Sequence, residues 1–200
     1  MSGAALEART IKLAIGALAL VAAVATGVGA TLVASLFAGL AALTLSAGSG
    51  LAASLELLEA DRRRGGRLAA WGALGLGWIV LAAMLLNEPL REPTGLRLLA
   101  SALLVGGAAL RAWRWQAHRA CAAPGLAVAL GFALLALAAT WSGVLLPGGD
   151  APITAIGVGC AFELFGTGSF WLGEAWARRD WQRAAGEQAR LQVPGVIQMT

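Results

Sequence analysis

The chain predicts an all-α, polytopic membrane protein with six transmembrane helices arranged as three tandem helical hairpins. The first observation is composition: 58% of the 200 residues are hydrophobic and 13% charged, with a mean hydropathy of +0.74. A soluble domain of this length could not enclose so much apolar side chain in one core. The second is that the apolar residues fall into six runs, each long enough for a helix to cross a hydrocarbon layer ~30 Å thick. The third is that the charges between the runs alternate in sign bias from one connection to the next.

No charged residue occurs between Lys12 and Glu56, a stretch too long for one span and suited to two of ~20 residues each. The reversal is expected near Gly27-Val28-Gly29, where paired glycines supply backbone freedom. Asp61-Arg62-Arg63-Arg64-Gly65-Gly66-Arg67 ends the second span. The third runs from about Leu68 to Leu86 and is closed by Asn87-Glu88-Pro89-Leu90-Arg91-Glu92-Pro93, which cannot continue a lipid-facing helix. The fourth covers about Gly95 to Leu110 and ends in Arg111, Arg114, His118 and Arg119. The fifth follows Pro124 and stops at Leu146-Pro147-Gly148-Gly149-Asp150-Ala151-Pro152. The sixth runs from about Ile153 to Trp176 and leads into a charged tail, 179–200, whose helix-forming stretch Pro194 should stop. Residues 1–178 thus form one transmembrane domain. A reading of residues 1 to ~26 as a cleaved signal peptide has little support, because small residues occur all along the chain.

Of the 15 Lys and Arg, only Arg91 and Arg97 fall on one side of this topology. The positive-inside rule then places both termini in the cytoplasm, and the basic inner ring could attract anionic lipid headgroups. Trp71, Trp113, Trp115, Trp141, Trp176 and Trp181 lie near span ends and are expected to anchor at the interface, whereas Trp78 and Trp171 lie deeper and should pack within the bundle. Glu56, Glu59 and Asp61, beside the Arg62–Arg64 run, read as an ordinary solvated helix end.

Signatures of conventional catalysis are missing. The Gly-x-Gly triplets at 27–29, 75–77, 157–159 and 166–168 lack the third glycine and the strand of a dinucleotide fingerprint. His118 is the lone histidine, too few for a haem pair, a zinc triad or a Ser-His-Asp set. No metal or cofactor is implied, and the pI of about 10.4 reflects topology rather than a nucleic-acid surface. Cys121 and Cys160 suggest no disulfide framework.

Glu163 is the exception to this plain pattern. Counted from Pro152 at ~1.5 Å per residue, it lies about 16 Å into the membrane, near the midplane. A carboxyl group there must face the bundle interior or a wet cavity. Gly159, Glu163, Gly166, Phe170 and Gly173 recur at alternating four and three residues, so Glu163 should point into a helix interface that Gly159 and Gly166 make close. Desolvation makes it a candidate proton-sensing or proton-carrying group. The alternative is a protonated Glu163 that hydrogen-bonds a neighbour such as Ser101, Thr140 or Ser142, with Arg97 the basic residue that could reach inward from the outer side.

The three hairpins, about 11–60, 67–119 and 124–178, each have a short outer turn and a basic inner exit, an internal repeat of about fifty to sixty residues. The third carries Gly131, Leu146-Pro147, Ile156-Gly157, Glu163-Leu164 with Gly166 and Gly168, and Ala177-Arg178-Arg179. The second echoes it with Gly75, Gly77, Pro89, Gly106, Gly107 and Arg111; the first lacks the turn proline. On these residues the chain resembles the HdeD family of bacterial acid-resistance membrane proteins, built of tandem DUF308 two-helix repeats. The resemblance implies a bacterial cytoplasmic-membrane protein linked to acid or envelope stress, without classical catalysis and with no catalytic residues to carry over. A small proton-coupled transporter or channel using Glu163 is the alternative. The partner it implies is the lipid bilayer, and a homo-oligomer is compatible with the residues.

Overall fold

Backbone polar groups cannot be left unpaired in hydrocarbon, so long apolar runs fold as helices that satisfy themselves. The computed structural model describes residues 3–29, 34–58, 64–87, 92–117, 123–142 and 151–191. They form six helices: α1 (Gly3–Gly29), α2 (Ala34–Leu58), α3 (Arg64–Leu86), α4 (Pro93–Ala117), α5 (Ala123–Ser142) and α6 (Ala151–Leu191). Every one contains a segment long and apolar enough to cross a membrane, and no strand occurs among the described residues. The chain is a multi-pass, all-α membrane protein.

Helix limits differ from the expectations where local signals are permissive rather than binding. Gly27-Val28-Gly29 stay helical at the end of α1, because glycine allows a reversal without enforcing one. The connection to α2 falls in 30–33, outside the described residues, as does the Leu146-Pro147 turn. α4 runs past Leu110 through Arg111 and Arg114 to Ala117. It starts cleanly because Pro93 suits a first helical position and the Glu92 carboxylate accepts the Gly95 N–H at 2.7 Å. α6 does not end at the membrane edge; one helix of 41 residues continues through the first part of the predicted tail to Leu191.

α6 is the hub. In its span, Ala151–Ala177, 67% of the most apolar window is buried, against 28–39% in the other spans. No residue of α6 from Ala151 to Ala175 is exposed, as expected of a helix surrounded on all sides. α5 and α1 pack most closely on it, α2 packs chiefly on α3, and α4 lies against α3, α5 and, more loosely, α6. The hairpin therefore survives as a packing pair in α5–α6, while α1 and α2 spend their closest contacts on α6 and α3.

Glycines set the close approaches. A Cβ on Gly166 would stand 3.1 Å from the Ala129 carbonyl oxygen, one on Gly159 would stand 3.0 Å from that of Ala136, and one on Gly173 would stand 3.2 Å from the Gly125 Cα. These three face α5 at a seven-residue repeat, the small-residue geometry that lets backbones meet in membranes. On the opposite side, Gly168 lies where a Cβ would meet the Gly16 carbonyl oxygen of α1 at 3.0 Å. Phe132 of α5 stacks between Phe162 and Phe165, with centroids 6.2 and 5.4 Å away.

Candidate functional site

Charged side chains survive inside a membrane bundle only when each meets its opposite. Lys12, Glu56, Arg67, Arg111, Arg114, Glu163 and Glu174 are all 2% exposed or less, and they assemble into two sets.

Glu163 belongs to the upper set. Arg111 donates to it from both ends of its fork, Nη1 to Oε1 at 2.6 Å and Nη2 to Oε2 at 3.0 Å, and Nη1 also donates to the Thr167 hydroxyl at 2.9 Å. The planar guanidinium matches a carboxylate in two places, which fixes orientation as well as charge. Gly107, one turn before Arg111, makes room: a Cβ there would stand 2.9 Å from Glu163 Oε1. Glu163 is 12 residues from Ala151 and 14 from Ala177 along the span, so ~18 and ~21 Å from its ends. The pair therefore sits close to mid-depth.

Arg114 is the centre of the lower set. Its Nε and Nη2 donate to Glu174 Oε2 and Oε1, both at 3.0 Å, and its Nη1 donates to Glu56 Oε1 at 2.6 Å. Glu56 Oε2 takes a second bond from Arg67 Nε at 2.8 Å, and Glu174 Oε1 takes one from Lys12 Nζ at 2.6 Å. The Arg114 guanidinium also lies over the Trp171 ring, 4.8 Å from its centroid, a cation–π contact strengthened by desolvation. Five helices, α1, α2, α3, α4 and α6, each contribute a charge to this knot. α5 has no charged residue and is held by its glycine-lined seam with α6.

The predicted site residues are redistributed accordingly. Glu163 does face the bundle interior, but its partner is Arg111 rather than Arg97, Ser101, Thr140 or Ser142. Thr140 bonds the Ala136 carbonyl at 2.8 Å, and its hydroxyl oxygen stands 2.5 Å from where a Cβ on Gly159 would be. Ser142 bonds the Ala139 carbonyl at 2.7 Å, and Ser101 accepts the Trp141 indole N–H at 3.0 Å. Arg97 keeps a buried Nε without a partner. Gly159 and Gly166 face α5, one side of the helix round from the carboxylate, so the stripe through Glu163 spans two interfaces.

Two further expectations are corrected. Glu56 is no solvated helix end: it is fully buried between Arg67 and Arg114, and Glu59 and Asp61 lie outside the described residues. Lys12, Arg67, Arg111 and Arg114, counted among the inner basic exits, turn inward to carboxylates. Among the tryptophans, Trp113, Trp141 and Trp176 are exposed at 37%, 44% and 58%. Trp115 is half-buried. Trp71 is 4% exposed and packs on Trp171 with centroids 6.2 Å apart; it is a core residue, as are Trp78 and Trp171. The side chains of Trp181, His118 and Cys121 lie outside the described part. A signal for the missed charges was present in the sequence. Lys12, Arg111, Arg114 and Glu174 all stand at the apolar ends of runs rather than in the connections, where charges normally cluster.

The fold and its internal ion pairs define a polytopic membrane protein with a polar centre at one end of the bundle. No family model, curated protein or solved structure matches the chain.

Proposed function

We propose that the protein is a non-catalytic bacterial cytoplasmic-membrane protein of HdeD type, with both termini cytoplasmic, that serves in acid or envelope stress through its buried ion pairs. The observation that carries this reading is the Arg111–Glu163 pair at mid-depth, together with the Arg114 knot beneath it. Protonating a carboxylate removes its charge and leaves a buried cation without a counter-ion, a costly state in low dielectric. Glu163 faces Arg111 of α4, Glu56 faces Arg67 of α3 and Arg114 of α4, and Glu174 faces Lys12 of α1 and Arg114. Acidification would therefore loosen contacts that tie five helices together.

The orientation is supported by what remains after the paired cations are set aside. Arg9, Arg62, Arg63, Arg64, Arg119, Arg178, Arg179, Arg183 and Arg190 still outnumber Arg91 and Arg97, so the inner bias persists. The same ring would draw anionic lipids.

The test uses the full chain in liposomes. Protection from limited proteolysis is followed as the pH is lowered, for the wild type and Glu163→Gln. The reading expects a cooperative change in the wild type that is absent or displaced in Glu163→Gln; identical responses sink the role of Glu163. The second reading, a proton-coupled transporter or channel, is favoured by the contact of Arg111 with Thr167, which lines a cavity. An imposed pH gradient should then drive a proton flux that Glu163→Gln abolishes, and absence of flux from the wild type removes it.

A further inference from the structure

Every buried charge among the described residues lies at the depth of Glu163 or nearer the end of the bundle toward which α6 runs. Along α6, Glu163, Thr167, Trp171 and Glu174 follow at steps of four, four and three residues and share one face. Each meets α4: Arg111 donates to Glu163 and Thr167, and Arg114 lies over the Trp171 ring and donates to Glu174. Glu174, Arg114, Glu56 and Arg67 stand two or three residues, about 3–5 Å, from the ends of their spans. This polar face therefore starts beside the headgroups on the knot side and ends at Glu163.

The opposite direction is apolar. Over the 12 residues from Glu163 back to Ala151, about 18 Å, α6 buries Cys160, Ile156 and Ile153, and Leu81, Leu85 and Leu96 of α3 and α4 belong to the same core. Cys160, one turn outward from Glu163, is the one titratable side chain among these. The buried hydroxyls on this side are those of Thr26 and Thr140, and Thr140 is committed to the Ala136 carbonyl. Of the helices packed on α6, α5 has no charged residue, and the described charges of α1 and α2, Arg9, Lys12 and Glu56, lie toward the knot. Arg97 of α4 is 14 residues from Arg111, about 21 Å along the helix. A guanidinium offers a proton no site, and its charge opposes one.

We propose that Glu163 exchanges protons with the aqueous phase on the knot side of the membrane alone, so that the protein answers acidity on that face and not on the other. A proton entering from the knot side meets the Glu174 and Glu56 carboxylates first, and neutralising them loosens the contacts that separate Glu163 from water. From the other side it must cross an apolar core with no group to hold it. That protonation drives a response rests on the reading of Glu163 above; the sidedness does not.

The experiment uses the full chain in liposomes captured through a C-terminal affinity tag, so that the knot side faces the bath. Infrared difference spectra follow the C=O band of protonated carboxyl groups, and Glu163→Gln identifies the part due to Glu163. Glu163→Asp, whose band is displaced, serves where the glutamine variant fails to fold. Acid is applied to the bath, to the lumen or to both, with the opposite side buffered at neutral pH. The Glu163 band should appear with acid in the bath or on both sides, and be missing with acid in the lumen alone. A band raised by luminal acid alone overturns the proposal, and access from both sides is what the transport reading requires. No band with acid on both sides overturns it as well. Protease protection is read in the same vesicles. A band with the expected sidedness and unchanged protection leaves this inference standing and rejects the function proposed above, whereas protection that changes with acid on either side rejects the sidedness and leaves that function standing.

Discussion

Arg114 and Glu174 meet through two parallel hydrogen bonds of 3.0 Å while the third nitrogen of the same guanidinium holds Glu56 at 2.6 Å. One side chain of α4 thereby fixes α2 and α6, and through their second bonds it is joined to α1 and α3. The bundle is closed at this end by charge rather than by shape, because α4 packs only loosely on α6 and long arginine side chains bridge the gap.

Arg114→Lys should be far from conservative. An ammonium is a point charge that cannot present a planar fork to Glu174 while serving Glu56, and it would lose the flat stacking on Trp171. A loss of about 2–4 kcal/mol is expected, checked by reversible denaturation in mixed micelles. A variant as stable as the wild type would show that the fork carries no stability.

Removing one member of the upper pair should cost more than removing both. Glu163→Ala leaves a buried guanidinium, and Arg111→Ala leaves a buried carboxylate, each expected to cost about 3–5 kcal/mol. The double variant Arg111→Leu with Glu163→Leu should recover part of that loss. A double-mutant cycle in which the two effects simply add would contradict direct pairing.

Gly107→Ala tests the same contact without removing a charge. Its Cβ would enter at 2.9 Å from Glu163 Oε1, so the carboxylate must shift from the Arg111 fork, at a cost of about 1–3 kcal/mol. Gly131→Ala, where a Cβ meets nothing within 4 Å, should be neutral or slightly stabilising, as alanine propagates helix better than glycine. Equal effects at the two positions would argue against the close approach at Gly107.

The seam of α5 on α6 should be as sensitive as the ion pairs. Gly166→Leu drives a side chain into the Ala129 carbonyl and the Phe132 Cβ, both 3.1 Å from the added Cβ. Because α5 has no charge to hold it, its detachment is the expected failure. Cysteine crosslinking between α5 and α6 should report it as lost efficiency, with the α1–α6 contact retained.

Much of this was legible in the residues. The apolar run from Lys12 to Glu56 required two spans, and α1 and α2 occupy it; Glu163 was recognisable as an interior acid from its depth alone. The glycines around it marked a close interface, correctly, but a helix pattern does not say which neighbour occupies which side. Glycines 159 and 166 meet α5, and Glu163 meets α4. Sorting charges by connection also treated Lys12, Arg67, Arg111 and Arg114 as surface cations, since a residue at a span end can snorkel outward or turn inward with the same spacing.

Membrane thickness and the need to satisfy backbone groups act on consecutive residues, so the number of helices and their approximate limits are written in local hydropathy. Charge pairing acts between residues far apart in the chain, 52 positions for Arg111 and Glu163 and 162 for Lys12 and Glu174. Which cation neutralises which carboxylate depends on how the helices surround α6, and that arrangement exists only once they have packed.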